Sequence, residues 1–285
     1  MNIKSFLLWM TIICQCCSSF AFHIISNEAR CKTSRQTQIY SNSKDDTNDN
    51  KSMMTLNFVG ETIITSKVAA IDDNKSLLEF FFLPSSPLLI LRGSKNNKVV
   101  EIEMIDDELI TQYKESCERT GALPPSADDR FFDVTTSGVK FPGMEVLSLV
   151  TIGCKVAIDN NDFPKYELVL VRDATFARGN RLFVWFFNKV TGKDKDKDKD
   201  ETSSQTTFSL NRISVVPKQS GVVFEANASL NLIIKFPSLL MKAILGASKD
   251  KFEKTGGESL VKALEDDLPT ALELFRQEYI NWLSS

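Results

Sequence analysis

A change of hydrophobic period near residue 237 constrains this chain more than any other feature of it. Upstream, Met144–Ile158, Tyr166–Arg172, Asn180–Val190, Thr206–Val215 and Gly221–Ile234 are apolar, β-branched or aromatic, and short polar linkers separate most of them. That is the pattern of a meandering antiparallel sheet. Downstream of Phe236-Pro237, residues Leu239, Leu240, Ile244 and Leu245 stand at helical spacing. Gly256-Gly257 is then expected to break the chain. After it Leu260, Val261, Leu264, Leu268, Leu272, Phe275, Tyr279 and Trp282 recur every three or four residues. Such a recurrence is one broad apolar face on a long helix. Pro269, behind Asp266 and Asp267, is expected to kink that helix or mark a restart, because proline removes an amide donor and the acids can cap. Packing on the sheet accounts for the stripe; lining a ligand cavity is the alternative.

The elements before the meander are shorter. Leu56–Lys67 alternates and reads as a strand. Asp72 to Ser76 supplies caps for a short helix through Leu77–Phe82, which Pro84 and Pro87 are expected to stop. Strands are predicted at Val99–Met104 and Leu109–Lys114, then a proline-rich connector from Gly121 to Asp129 and a strand at Arg130–Thr136. Lys193–Glu201 (KDKDKDKDE) alternates unit charges and reads as a solvated loop insertion.

Residues 1–19 read as a secretory signal: Lys4, an apolar run from Phe6 to Cys14, then small residues Cys17, Ser18 and Ser19. Cleavage after Ser19 would expose Phe20. The stretch to Ser43 carries Arg30, Lys32 and Arg35 against one acid, Glu28, which is transit-like. The leader as a whole resembles the bipartite presequences of algae with complex plastids, so the expected destination is a plastid. Secretion is the alternative, permitted by sequons at Asn50, Asn74 and Asn227. The expected organisation is a signal peptide (1–19), a transit-like, disordered leader (20–53) and a single domain (54–285). No run in that domain approaches the ~20 apolar residues a membrane-spanning helix needs.

Much chemistry is absent from the domain. The lone histidine, His23, lies in the leader, which removes histidine-dependent nucleophile systems and histidine-ligated metals. No Walker loop, dinucleotide fingerprint or C-x-x-C occurs, and neither a cofactor nor a metal is expected. With 34 basic and 37 acidic residues no basic surplus calls for nucleic acid. Cys117 and Cys154 are expected to be buried free thiols, with a bridge as the alternative. Asp106-Asp107-Glu108, Asp128-Asp129 and Asp266-Asp267 are read as turn or capping acids in preference to acid–base groups, so no catalytic residue is assigned. Arg172, Arg178 and Arg181 around Asp173 are read as covering a sheet edge, with anion binding as the alternative.

Several short motifs carry a resemblance. Gly138–Gly143 (GVKFPG) follows a strand, with Gly138, Lys140, Phe141 and Gly143 as its marks. Phe236-Pro237-Ser-Leu-Leu240, Gly256–Leu264 and the closing Tyr279-Ile-Asn-Trp282 come after it. In this order they resemble the DUF1997 family of plants and cyanobacteria, over roughly Leu56 to Leu283. Glu278 departs from that family's aspartate, and 193–201 looks like an insertion. The resemblance implies a START-like (SRPBCC, helix-grip) α+β fold, in which a curved antiparallel sheet packs around the long C-terminal helix. It also implies a hydrophobic ligand, lipid or pigment, held between them. Phe141, Leu264, Leu268, Leu272, Phe275, Tyr279 and Trp282 are the candidate lining residues, and Pro237 is a motif position. A scaffold or assembly factor for a plastid complex, its core filled by its own aromatics in a chain with 20 phenylalanines, is the second reading, and an enzyme using Asp or Glu the third.

Overall fold

Alternation along the strands sets the two faces of the sheet. In β7 (Gln205–Lys218) and β8 (Gly221–Pro237) the pairs Val215↔Phe224 and Ile213↔Ala226 share one face, and their side chains are buried together. The same face continues through Tyr166 and Leu168 of β6 (Pro164–Gly179) to Cys154 and Val150 of β5 (Met144–Ile158), then to Phe132 and Val134 of β3 (Arg130–Thr135). β2 (Lys98–Glu101) closes that edge, and β4 (Val139–Phe141) forms a small hairpin with β5. At the other edge β1 (Met53–Thr65) pairs with β8 along its whole length. The strand order is β1-β8-β7-β6-β5-β3-β2, with every neighbour antiparallel. The computed structural model describes residues 53–71, 76–93, 97–135, 139–141, 144–159, 161–181, 184, 205–237 and 249–285.

Helices cover both faces of this curved sheet. The concave face holds α1 (Leu77–Phe82), α2 (Ser86–Arg92) and the long α4 (Lys249–Ser284). The convex face carries α3 (Asp107–Thr120) and the connector after it. The result is α+β, with the antiparallel meander and long terminal helix that the change of period implied and the sheet curved around that helix as the resemblance implied. The first strand begins at Met53, one residue inside the expected leader. No helix among the described residues is long and apolar enough to cross a membrane.

Several local expectations are corrected. The segment Leu109–Lys114 is helix, because Asp106 caps it by accepting from Leu109 N–H at 2.7 Å. Leu109, Tyr113 and Cys117 then fall on one buried stripe, and Gly121 ends the helix in the left-handed region. Ser76 caps α1 as expected, through Leu78 N–H at 3.2 Å. Pro87 stops nothing; it sits in the first turn of α2, where a missing amide hydrogen costs no bond. Strand β6 runs on to Gly179, and Arg181 and Val184, expected in a strand, are helical, with Val184 N–H donating to Asn180 O. Residues 185–204, with the charged loop, and 238–248 lie outside the described residues.

Gly256-Gly257 does not break the chain either, nor do Asp266, Asp267 and Pro269 restart it; all five lie inside α4. The glycines let the helix backbone descend onto β1. A Cβ on Gly256 would lie 2.1 Å from the Phe58 ring, and one on Gly257 would lie 2.7 Å from the Val59 carbonyl oxygen. Across the contact Gly60 answers them, since its own Cβ would lie 2.8 Å from Leu260 Cβ. Helix propensity alone would reward Gly257→Ala by up to ~1 kcal/mol. Here the backbone cannot yield, and overpacking costs about 1–3 kcal/mol. The variant is expected to unfold at lower urea; a stabilised one would mean that α4 lifts off β1 freely.

Candidate functional site

The register gives the floor of the grip residue by residue. One row across the concave face is Ile64, Ala226, Ile213 and Tyr166. The next is Thr62, Ala228, Asn211, Leu168 and Cys154, then Leu230 with Ser209, then Phe58, Leu232 and Thr207. Leucines of β6 and β8 therefore flank a polar column on β7: Thr207, Ser209 and Asn211. Asn211 is half-buried, and its Oδ1 is buried with no hydrogen-bond partner among the described residues. Thr207 Oγ1 donates to Asp173 Oδ2 at 2.7 Å, and Asp173 is exposed.

Aromatic rings pack together at one end of the contact between the sheet and α4. Phe275 is fully buried, with ring centroids 5.0 Å from Phe224, 5.1 Å from Phe80 and 5.5 Å from Phe81. Tyr279 lies 5.2 Å from Phe80 and stacks on Trp282, which is partly buried. The Tyr166 hydroxyl donates to the Phe81 carbonyl and ties α1 to the sheet. At the other end Leu260 packs with Leu56, Phe58, Leu230 and Leu232 as a separate cluster, against which Leu264 lies partly buried. Leu268, between the two, is half-buried and belongs to neither.

The candidate lining residues thus divide. Leu272, Phe275 and Tyr279 are buried core, Trp282 borders them, Leu264 packs against the Leu260 cluster, and Leu268 is half-buried in neither cluster. Phe141 and Lys140 have their backbone in β4, and Pro237 ends β8; the placement of these three side chains, and Gly138 and Gly143 entirely, lie outside the described residues. The polar column was not anticipated. A signal for it exists in β7, where the apolar phase flips from Phe208 and Leu210 to Ile213 and Val215. A strand that changes phase serves cores on both faces, and its remaining positions on each face are polar.

Opposite lies an ionic row, buried at Lys155 and Glu167 and partly exposed at Arg212. Lys155, Glu167 and Arg212 pair side by side across β5, β6 and β7 on the convex face. Arg212 Nε donates to Glu167 Oε1 at 3.0 Å, and Leu123 N–H donates to Glu167 Oε2 at 2.7 Å. Burial pushes the Glu167 carboxyl up, but these donors and Lys165 outweigh it and hold the group below its ordinary value. Lys155 Nζ donates to the Pro124 carbonyl and lies 3.4 Å from Asp129 Oδ2, while Asp129 also accepts from Ser126 N–H and Oγ–H. This row fastens the connector to the sheet. The acids thus take the turn and capping roles expected for Asp106 and Asp129, whereas Asp266-Asp267 sit mid-helix. Arg172 serves α3, donating to Gln112 Oε1 and lying 3.7 Å from Asp106 and 3.8 Å from Glu108.

Cys117 and Cys154, the two cysteines among the described residues, are free and buried. Burial pushes the Cys154 thiol up to about 12, and burial raises Cys117 as well, with Tyr113 and Lys155 opposing. Iodoacetamide is therefore expected to modify neither in the native chain and both in urea, read by peptide mass spectrometry. Native labelling at Cys117 would mean that α3 opens from the sheet.

No family model matches the chain, and no curated protein does. Among solved structures it is similar to the di-domain ARO/CYC StfQ of the steffimycin biosynthetic pathway, with a TM-score of 0.36 and 13% identity over 81% of this chain. The chain spans about half the length of that protein, 53%. It is similar to norcoclaurine synthase of Thalictrum flavum, with a TM-score of 0.29 and 14% identity over 79% of this chain and 98% of that one. An uncharacterised protein of Rhizobium leguminosarum gives a TM-score of 0.19 at 10% identity, over 79% of this chain and 99% of that one. The architecture itself is α+β, a curved antiparallel sheet packed around a long C-terminal helix. What those proteins bind or make does not pass to this chain at such values.

Proposed function

We propose that the chain binds a small hydrophobic molecule, of the lipid or pigment class, between the sheet and α4. One observation carries this reading: the apolar stripe of α4 packs as two separate clusters, and Leu268 between them is half-buried in neither. Apolar sites for small molecules are concave and carry few polar groups, which is the make-up of this floor. The full chain, purified from a lipid-containing host, is expected to carry a bound apolar mass in native mass spectrometry. Repeated recovery of an empty protein, with no shift on adding lipids or pigments, overturns the proposal.

The second reading, a scaffold whose core is filled by its own rings, has its support in the mutual contacts of Phe80, Phe81, Phe224, Phe275 and Tyr279. An empty protein that recovers a stable partner complex would favour it. We also propose plastid delivery and kinship with the DUF1997 family. The support is the order of Lys4, the apolar run, Phe20 and the acid-poor stretch for the first, and the short motifs for the second. A fluorescent fusion of residues 1–52 is expected to reach the plastid and to fail on Phe20→Ala; export to the medium would defeat that destination.

A further inference from the structure

The floor of the grip is polar where a site for pure hydrocarbon would be apolar. Thr207, Ser209 and Asn211 occupy three successive concave positions of β7, and their cross-strand neighbours are Leu232, Leu230, Ala228 and Leu168. Ala228 is almost fully buried and short, so it does not reach over Asn211 with a polar group. Asn211 Oδ1 is buried without a hydrogen-bond partner among the described residues. A buried amide oxygen is costly when unpaired, and it can only accept.

We propose that Asn211 selects the ligand: its side-chain oxygen accepts a hydrogen bond from a hydroxyl on an otherwise apolar molecule lying along the β7 column. This rests on the binding reading above and names its ligand class, a hydroxylated hydrocarbon in preference to a bare one or one with acceptors alone. Ser209 and Thr207 extend the column towards Asp173, so a second polar substituent along the same molecule has hydroxyls to meet. The leucines on either side take the hydrocarbon. A site built around a ligand's donor discriminates against the analogue that lacks it, because the protein acceptor is then left buried and unpaired.

The test uses three fluorescent probes of one shape: 1-hydroxypyrene, 1-methoxypyrene and pyrene, titrated into the full chain. The hydroxylated probe is expected to bind about tenfold more tightly than either of the others, the worth of one hydrogen bond in a dry site. Asn211→Leu is expected to abolish that preference, since leucine supplies apolar surface of similar size and no acceptor. Equal affinity for all three probes in the unaltered chain overturns the selection by Asn211 and leaves the binding reading standing. A preference that survives Asn211→Leu also overturns it. Failure of every probe to bind overturns both. The wild-type ratio decides even if Asn211→Leu does not fold.

Discussion

Phe275→Ala is expected to lower the unfolding free energy by about 3–5 kcal/mol, the range for a phenylalanine removed from a packed core. The reason lies in what that ring holds together. It touches Phe80 and Phe81 of α1, Tyr166 of β6 and Phe224 of β8, so it is the point where α4, the short helices and the sheet meet. Edge-to-face pairs add to the area each ring buries. Four rings would then surround a void that they cannot collapse, because Tyr166 and Phe81 are tied by their own hydrogen bond. Urea unfolding followed by tryptophan fluorescence measures the loss, as Trp282 sits on the same cluster. A loss below about 1 kcal/mol would show that the core repacks around the gap, which is how a loosely filled cavity behaves.

Asp129→Ala is expected to cost nearly as much for an electrostatic reason. The Lys155 side chain is 8% exposed and that of Asp129 is 3% exposed, so the substitution strands an ammonium group under the connector. Removing one member of a buried ion pair costs about 3–5 kcal/mol. It also frees Ser126 N–H and Oγ–H from the carboxylate. The double variant Asp129→Leu with Lys155→Met removes both charges and is expected to be more stable than the single one. If the single substitution proves neutral in urea, Lys155 has another route to solvent and the connector is not fastened by this pair.

The sequence made the concave side of the molecule legible and the convex side opaque. Period two in Met144–Ile158 and Gly221–Ile234, and period 3.6 from Leu260 onward, are strong signals because each element buries one whole face. Helix α3 was read as a strand because Leu109–Lys114 is short and both periods fit it; the arbiters were Asp106 before it and Gly121 after it. The glycine pair misled for the opposite reason. Glycine is a poor helix former in isolation, and here packing against Val59 and Phe58 outweighs propensity. The ionic row Lys155–Glu167–Arg212 had no local signature, since each residue alone is an ordinary outward position on a strand. The polar column on β7 was readable in principle, from the phase flip between Leu210 and Ile213.

The seam of Gly60 with Gly256 and Gly257 bears on when this chain can fold. It joins the first strand to the last helix, and β1 takes its ladder from the last strand, so the earliest and latest described elements stabilise each other. Pairings so distant along the chain close large loops and form slowly. While residues 249–284 are still on the ribosome, β1 lacks its lid and the aromatic cluster lacks Phe275. The core between sheet and α4 is therefore complete only once residues 249–284 have emerged.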